Sequence, residues 1–245
     1  MTMSMAPAAR PLTERQFFTG MAVAMAVAAF IGFAPTYYLA ALNDARTPTL
    51  TTGVHIHGAL NTAWMLLLVV QTTLIARGRP DIHRLTGMAG VVLAIGILVS
   101  GVLVAIGSER RVHTDANAGT MGDPYVFLMF PLANIALFAA FVALGVANRG
   151  RSDAHKRLML LATISLLGPA LARIVTQVTG VGGAIGALWL MDVFLAAIVA
   201  YDFAARGRLH PATLWGGGLL LISEPLRVAI AHTGPWQAFA RSLMG

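Results

Sequence analysis

Seven long apolar stretches dominate this chain of 245 residues. A helix needs about 20 predominantly apolar residues to cross the hydrocarbon core of a bilayer. The stretches that reach or approach this length, spans 1 to 7, lie at 17–42, 54–76, 85–107, 124–147, 157–179, 183–204 and 213–231. Only 11% of the residues are charged, whereas a soluble domain carries about 25%. The sequence therefore predicts an all-α, polytopic membrane protein, a bundle of seven transmembrane helices.

The distribution of charge predicts how this bundle is oriented. The formal net charge is +7, from 17 Lys and Arg against 10 Asp and Glu. Basic residues concentrate before span 1 and in every second loop after it, at Arg10, Arg15, Arg77, Arg79, Arg84, Arg149, Arg151, Lys156, Arg157, Arg206 and Arg208. Because loops rich in Lys and Arg stay in the cytoplasm, we expect a cytoplasmic N-terminus and a periplasmic C-terminus in a bacterial inner membrane. The charge thus sets topology, and no nucleic-acid partner is expected.

The domain organisation is simple. Residues 1–16 are predicted to form a cytoplasmic tail, and residues 17–245 a single seven-helix transmembrane domain. The longest loop, 108–123, is expected to face outward, and it has no apolar periodicity. The chain has no cysteine, which excludes iron–sulfur clusters and thiolate chemistry. A metal would have to be held by His, Asp, Glu or Met.

Polar residues inside the spans are candidates for function, because a polar group in hydrocarbon is costly. Span 2 places His57, Asn61, Trp64 and Gln71 on one helical face. This stripe fits hydrogen bonds that join neighbouring helices, and it also fits one wall of a cavity that opens outward. Both interpretations stay open.

Further polar residues are expected at the same depth in spans 4 to 7. With His57 and Asn61 they form a set that we call the outer cluster: Asn134, Arg173, Gln177, Asp192, Glu224 and Arg227. Two arginines and two carboxylates at one depth predict either a structural ion-pair network or an outward-facing pocket for a polar or anionic ligand. In the pocket, Arg173 and Arg227 would clamp the anion.

Two histidines stand at the cytoplasmic ends of spans 3 and 5, His83 and His155. One histidine from each of two helices at equal depth is the minimum for bis-histidine ligation of haem iron. The alternative is that each ring contacts lipid headgroups. Small residues continue along roughly the face of His83, at Gly87, Gly90, Ala94 and Gly101. They would allow a close helix approach or leave room for a flat porphyrin.

The segments His83-Arg84-Leu85-Thr86-Gly87 and His155-Lys156-Arg157 resemble uncharacterised bacterial multi-pass proteins with a His-Arg-x-x-Gly turn. Residues 54–180 are also distantly similar to the two-haem transmembrane cytochromes b. That family pairs its ligand histidines between the first and third and between the second and fourth helices of a four-helix core. The resemblance implies one complete haem b site, with His83 and His155 as ligands of the iron. It implies a second, incomplete site at His57, since span 4 offers only Asn134 or Met129 opposite it.

The function expected from these observations is that of a b-haem redox protein of the membrane, passing electrons to a quinone or a partner protein. The outer cluster would then line a site for a second cofactor or substrate. Two alternatives stay open. One is a cofactor-free small-solute transporter or ligand sensor that uses the outer cluster as its pocket. The other is an accessory subunit of a larger membrane complex.

Overall fold

The computed structural model describes residues 13–42, 50–114, 123–180 and 183–244, without the side chains of 109–114 and 184–185. Every regular element in this part of the chain is helical. The helices, in chain order, are α1 (Glu14–Phe33), α2 (Thr52–Ala76), α3 (Pro80–Thr114), α4 (Pro124–Phe127), α5 (Met129–Ala147), α6 (Ser152–Thr179), α7 (Ala184–Arg206), α8 (Pro211–Ala231) and α9 (Gly234–Met244). A π-helical turn, Ala34–Tyr38, extends α1, and a 3₁₀ turn, Ala40–Leu42, follows it.

Seven helical segments in the described residues are long and apolar enough to span a membrane. They are Glu14–Tyr38, Thr52–Ala76, Pro80–Ser108, Pro124–Ala147, Ser152–Thr179, Gly186–Arg206 and Pro211–Ala231. This confirms the prediction of an all-helical, multi-pass membrane protein. The starts of α1, α3, α6 and α8 meet the ends of α2, α5 and α7 at one end of the bundle, which we call the basic end. The other end is the distal end.

Several helix ends differ from the prediction because hydropathy assigns charged flanks to loops. Helix α6 begins at Ser152, so Lys156 and Arg157 belong to its first turns and not to the preceding loop. Helix α3 continues to Thr114, so the first part of the loop predicted at 108–123 is helical. Residues 115–122 of that loop lie outside the described residues.

The predicted N-terminal tail also ends earlier than expected. Helix α1 begins at Glu14 because Thr13 caps it: the Gln16 backbone N–H donates to Thr13 Oγ1 at 3.4 Å. The Gln16 side chain returns the bond by accepting from the Thr13 backbone N–H at 3.0 Å. This reciprocal capping box satisfies N–H groups that lack helical partners. The first 12 residues of the predicted tail lie outside the described part of the chain.

Helix α6 forms the centre of the bundle and packs against α1, α5, α7 and α8. Its side chains Leu161, Ile164 and Leu167 are fully buried. Lipid tails are as apolar as leucine, so close packing and hydrogen bonds between helices hold such a bundle together. Both are present here. Gly32 of α1 lies directly against the backbone of α6, and the Trp64 indole donates to Thr163 Oγ1 at 3.1 Å.

Helix α9 is an element that hydropathy did not predict, because it is too short to cross a bilayer. It is amphipathic and lies at the distal end, where Ala240 and Met244 are buried against Ala105 and Leu128. The Trp236 indole N–H holds α9 in place by donating to the Tyr125 backbone carbonyl of α4 at 2.8 Å. Helix α9 thus packs against α3, α4 and α8 at the distal end.

Candidate functional site

The two histidines of the proposed haem site lie side by side at the basic end. The ring centroids of His83 and His155 are 6.2 Å apart, and the ring planes are nearly perpendicular, at 88°. His83 lies in the first turn of α3 and His155 in the first turn of α6. Both side chains are half-buried. The fold therefore brings together two imidazoles that are far apart in the sequence.

Neighbouring groups hold the Nδ1 atom of each ring. His155 Nδ1 lies 2.8 Å from the Gly145 carbonyl oxygen of α5. Because a carbonyl only accepts, Nδ1 must carry the proton, which leaves Nε2 of the neutral ring with a free lone pair. His83 Nδ1 contacts the side-chain nitrogen of Gln71 and accepts from it, in the orientation in which the Gln71 oxygen accepts from the Gly87 backbone N–H at 3.0 Å. Metal-binding histidines usually donate a hydrogen bond from the second ring nitrogen, as His155 does.

Two histidines are fewer ligands than a simple metal ion needs, but a haem iron can take as few as two from a protein. Among the described residues no group of three or more His, Asp or Glu side chains could hold a metal, and protein zinc sites use at least three such ligands. Haem iron needs only axial ligands from the protein. Metal–nitrogen bonds to histidine are about 2 Å long, so two rings facing one iron have centroids about 6 Å apart. The 6.2 Å separation of His83 and His155 agrees with that spacing.

The small residues of α3 serve close helix packing. A Cβ atom on Gly90 would lie 3.2 Å from Leu67 of α2, and one on Gly96 would lie 3.2 Å from Leu60. Of the two interpretations of these small residues, a close helix approach and room for a flat porphyrin, the side chains of α2 beside them correspond to the first.

His57 is held by a hydrogen bond to a neighbouring helix. Its Nδ1 lies 2.9 Å from Ser100 Oγ of α3. The Asn61 side-chain nitrogen, one turn further along α2, lies against the ring, 3.1 Å from Nε2 and 3.4 Å from Nδ1, and donates to the His57 backbone carbonyl at 2.9 Å. The geometry of His57 therefore corresponds to the helix-joining interpretation of the span 2 stripe.

Arg227 is the most deeply buried charge of the outer cluster. Its side chain is only 2% exposed. It donates from Nη1 to Asn134 Oδ1 at 2.7 Å and from Nη2 to Ser223 Oγ at 2.9 Å, while its Nε has no partner. None of the ion pairs in the described part of the chain involves it. Neutral oxygens thus solvate this guanidinium inside the bundle.

Arg173 and Gln177 make a separate set of contacts, between α6 and α1. The Arg173 guanidinium lies over the Phe33 ring, 4.5 Å from its centroid. It also donates to the Pro169 backbone carbonyl, one turn earlier in α6, at 3.0 Å. Gln177 donates to the Gly32 carbonyl at 3.3 Å. Within the described residues, no hydrogen bond or ion pair joins Arg173 and Arg227 to a common partner. The clamp of two arginines is not assembled in this structure.

Asp192 and Glu224 come from α7 and α8 and lie close enough for their charges to interact. Each has one buried carboxyl oxygen without a hydrogen-bond partner, Asp192 Oδ1 and Glu224 Oε1. Neither makes an ion pair within the described part of the chain. The ion-pair network that the sequence suggested for this depth is therefore not formed. Polar atoms that lack partners are found there instead.

Comparisons with protein-family models, with curated proteins and with solved structures found no match to this chain. The pair of imidazoles and the outer cluster are therefore interpreted from their own chemistry.

The most deeply buried ion pair among the described residues was missed by sequence reasoning. Arg157 and Asp202 are 1% and 0% exposed in their side chains. Arg157 donates to Asp202 Oδ1 from Nε at 2.9 Å and also from Nη2. Its Nη1 donates to the Asp153 carbonyl at 2.9 Å. The sequence does indicate this pair, because Asp202 near the end of span 6 lies at the same depth as Lys156 and Arg157 in the first turns of α6.

Further charges surround this pair and join four helices at the basic end. Lys156 contacts Glu14 of α1 at 2.7 Å and Asp153 at 2.5 Å, and Arg206 of α7 contacts Asp153 at 3.1 Å. The Asp202 carboxylate also accepts from the His210 backbone N–H at 3.0 Å, at the start of α8. We call these residues, with Arg157, the basic-end clamp. It fixes the first turns of α6 against α1, α7 and α8.

His210 is the N-cap of α8, since its Nδ1 accepts from the Ala212 backbone N–H at 3.0 Å. The cap requires an unprotonated Nδ1, so the ring is neutral with its proton on Nε2. Burial lowers the pKa of His210, and the nearby charges of Arg157 and Arg206 lower it further, whereas Asp202 and Asp153 raise it. The surroundings thus favour the form of the ring that caps the helix.

Proposed function

We propose that this protein is a redox protein of the bacterial inner membrane that binds one b-type haem, with His83 and His155 as the axial ligands. The observation that carries the proposal is the 6.2 Å separation of two imidazole rings whose Nδ1 atoms are held by other groups. A haem would supply a one-electron redox couple near one face of the membrane. The electron acceptor in this proposal is a quinone or a partner protein.

The distribution of charge supports placing this site at the cytoplasmic side. Arg15, Arg77, Arg79, Arg151 and Arg206 all lie at the basic end, and basic residues near helix ends are retained in the cytoplasm. The N-terminus would then be cytoplasmic, and α9 would lie on the periplasmic surface.

In this proposal the residues around the histidines orient the ligands and adjust their basicity. The Gly145 carbonyl polarises His155 through the Nδ1 proton, and the Gln71 side chain holds the His83 ring at its Nδ1. The similarity to two-haem cytochromes b is carried by one complete pair of histidines. Span 4 offers no histidine opposite His57, which supports one haem in this chain and not two.

The test is a reduced-minus-oxidised absorption spectrum, with a pyridine haemochrome assay, on protein purified from cells supplied with ample haem. We expect sharp reduced bands of a low-spin haem b and about one haem for each chain. His83→Ala and His155→Ala should each abolish the low-spin spectrum. His57→Ala is the matched control and should keep the full haem content. A colourless wild-type protein would rule the proposal out, and so would ligand variants that keep all their haem.

One observation favours a second candidate, a cofactor-free transporter or sensor for an anionic solute. Arg227 is buried without an ion pair, and its Nε has no partner. The Glu224 charge acts on Arg227 only from beyond ion-pair distance, and a small anion would supply a countercharge in direct contact. We would follow the melting temperature of the purified protein with inorganic and carboxylate anions, since a ligand that binds the folded state raises it. A saturable rise that Arg227→Gln removes and His57→Ala keeps would support this candidate, and the absence of any rise would exclude it for the anions tested.

A further inference from the structure

A second candidate site, independent of the haem proposal, is a cavity of about 740 Å³ at the basic end. It lies between the end of α5, the start of α6 and the start of α8, and its lining includes neither His83 nor His155. Cavities that bind small molecules in proteins measure about 300–1,000 Å³. The cavity is therefore large enough for a ligand of moderate size.

The lining changes from apolar to polar along the cavity. The walls within the spans are apolar, and those at the helix ends are polar. The apolar lining residues include Phe141, Leu144, Leu158, Trp215 and Leu219, and the polar ones Asn148, Arg151, Asp153 and His210. Trp215 is 77% exposed on the outside of the bundle, where lipid tails would surround it. An amphiphile could therefore enter from the bilayer with its chain first along the apolar wall.

The polar end of the cavity favours a negative charge. Arg151 is exposed in the turn between α5 and α6, and none of the ion pairs in the described residues engages it. The one carboxylate in the polar lining, Asp153, is already paired with Lys156 and Arg206. Arg151 therefore has a positive charge available for a ligand. Arginine is well suited to phosphate, because its planar guanidinium can donate two parallel hydrogen bonds.

The first turn of α6 adds to this preference. Arg151 occupies the N-cap position, but no side chain caps the helix there. Ser152 and Asp153 follow it along the cavity lining. The N-terminal end of a long helix carries a partial positive charge and N–H groups that lack helical partners. The cavity, the arginine and the helix end thus point to the same kind of ligand.

We propose that this cavity binds one anionic phospholipid drawn from the surrounding bilayer. Its phosphate contacts Arg151 and the start of α6, and one acyl chain lies along Leu144, Trp215 and Leu219. A zwitterionic lipid has the same apolar part but no net negative charge, so it should bind more weakly. Basic pockets between transmembrane helices bind anionic headgroups in this way.

The experiment is a thermal-stability titration of delipidated, full-length protein in an uncharged detergent. Phosphatidylglycerol should raise the melting temperature in a saturable manner, and phosphatidylcholine should have a much smaller effect. Arg151→Gln should weaken the apparent affinity for phosphatidylglycerol about fivefold, the effect of one basic residue near a lipid headgroup. Trp215→Ala, which removes part of the acyl-chain wall, should also weaken it.

The matched control is Arg77→Gln, which removes an exposed arginine from another turn at the basic end, outside the cavity. It should keep the wild-type affinity. Equal losses in Arg151→Gln and Arg77→Gln would mean that the lipid is held only by general surface charge, and would overturn the proposal. Equal stabilisation by the two lipids would also overturn it. Stabilisation by inorganic phosphate alone, to the same extent, would show an anion site without a lipid chain and would refute the assignment.

Discussion

The buried pair of Arg157 and Asp202 gives the sharpest prediction about stability. Asp202→Leu removes the acceptor of two Arg157 hydrogen bonds and the acceptor of the His210 backbone N–H. Arg157 would keep its bond to the Asp153 carbonyl and an approach of 3.9 Å to the Asp153 carboxylate, which is partly exposed. Breaking a buried ion pair by removing one partner costs about 3–5 kcal/mol. We expect the free energy of unfolding to fall by about that amount.

A double variant separates the loss of the interaction from the burial of a lone charge. Arg157→Met combined with Asp202→Leu replaces both charges with apolar side chains, which is often close to neutral for a buried pair. It should therefore be more stable than Asp202→Leu alone, although the His210 backbone N–H still lacks its acceptor. The coupling energy of such a cycle should reach at least about 2 kcal/mol, within the range for residues in direct contact.

The assay is unfolding of the purified protein by increasing amounts of SDS in mixed micelles, followed by circular dichroism. The control is the exposed pair Arg79 and Asp81, whose side chains are 54% and 63% exposed. Exposed pairs contribute little, so Asp81→Asn should leave the unfolding curve unchanged. A loss below about 1 kcal/mol for Asp202→Leu would refute the argument from burial. So would a double variant as unstable as the sum of the two single ones.

Three further predictions concern packing, a buried hydrogen bond and pH. Gly32→Ala should destabilise the protein by about 1–3 kcal/mol, because the added Cβ would collide with the α6 backbone. Its control is Gly20→Ala, where the added Cβ would have no atom within 4 Å, and which should stabilise the protein by about 0.5–1 kcal/mol. Trp64→Phe should cost about 1–3 kcal/mol in SDS unfolding, because it leaves Thr163 without its indole donor. The pKa of His210 is lowered in the folded state, so the neutral ring contributes to the stability of the folded protein. This contribution should be complete above about pH 7 and be lost as the pH falls below about 6.5. His210→Asn, which caps without titrating, should remove that part of the pH dependence in thermal melts, and an unchanged profile would contradict the assignment.

Hydropathy predicted the number and approximate position of the spans because the bilayer requires about 20 apolar residues for each helix. It placed helix ends less well, since it treats any charged residue as part of a loop. Arg157 shows why this fails. Its charge is neutralised by Asp202, so the helix can begin before it and bury it. That pairing depends on two spans meeting, which no single stretch of sequence reveals.

The candidate site was predicted only in part, because a single stretch of sequence shows the depth of a residue but not its partners. Depth follows from position along a span, so the sequence could place His83 beside His155 and Arg173 beside Arg227 in depth alone. Which side chains meet depends on how each helix is rotated and which helices are neighbours. The rotation of α3 and α6 brings the ring centroids of His83 and His155 to 6.2 Å from each other. Helix rotation also turns Arg173 toward Phe33 and Arg227 toward Asn134.

The first turns of α6 connect the features found at the basic end. Asp153 belongs to the basic-end clamp and lines the cavity that we propose for a lipid, and His155 two residues later is a proposed haem ligand. Lys156 and Arg157 then pair with Glu14 and Asp202. Because a helix is rigid over two turns, the ion pairs that hold these residues also fix the direction in which the His155 ring points. Charges from three other helices, α1, α7 and α8, therefore hold the turns of α6 that carry this proposed ligand.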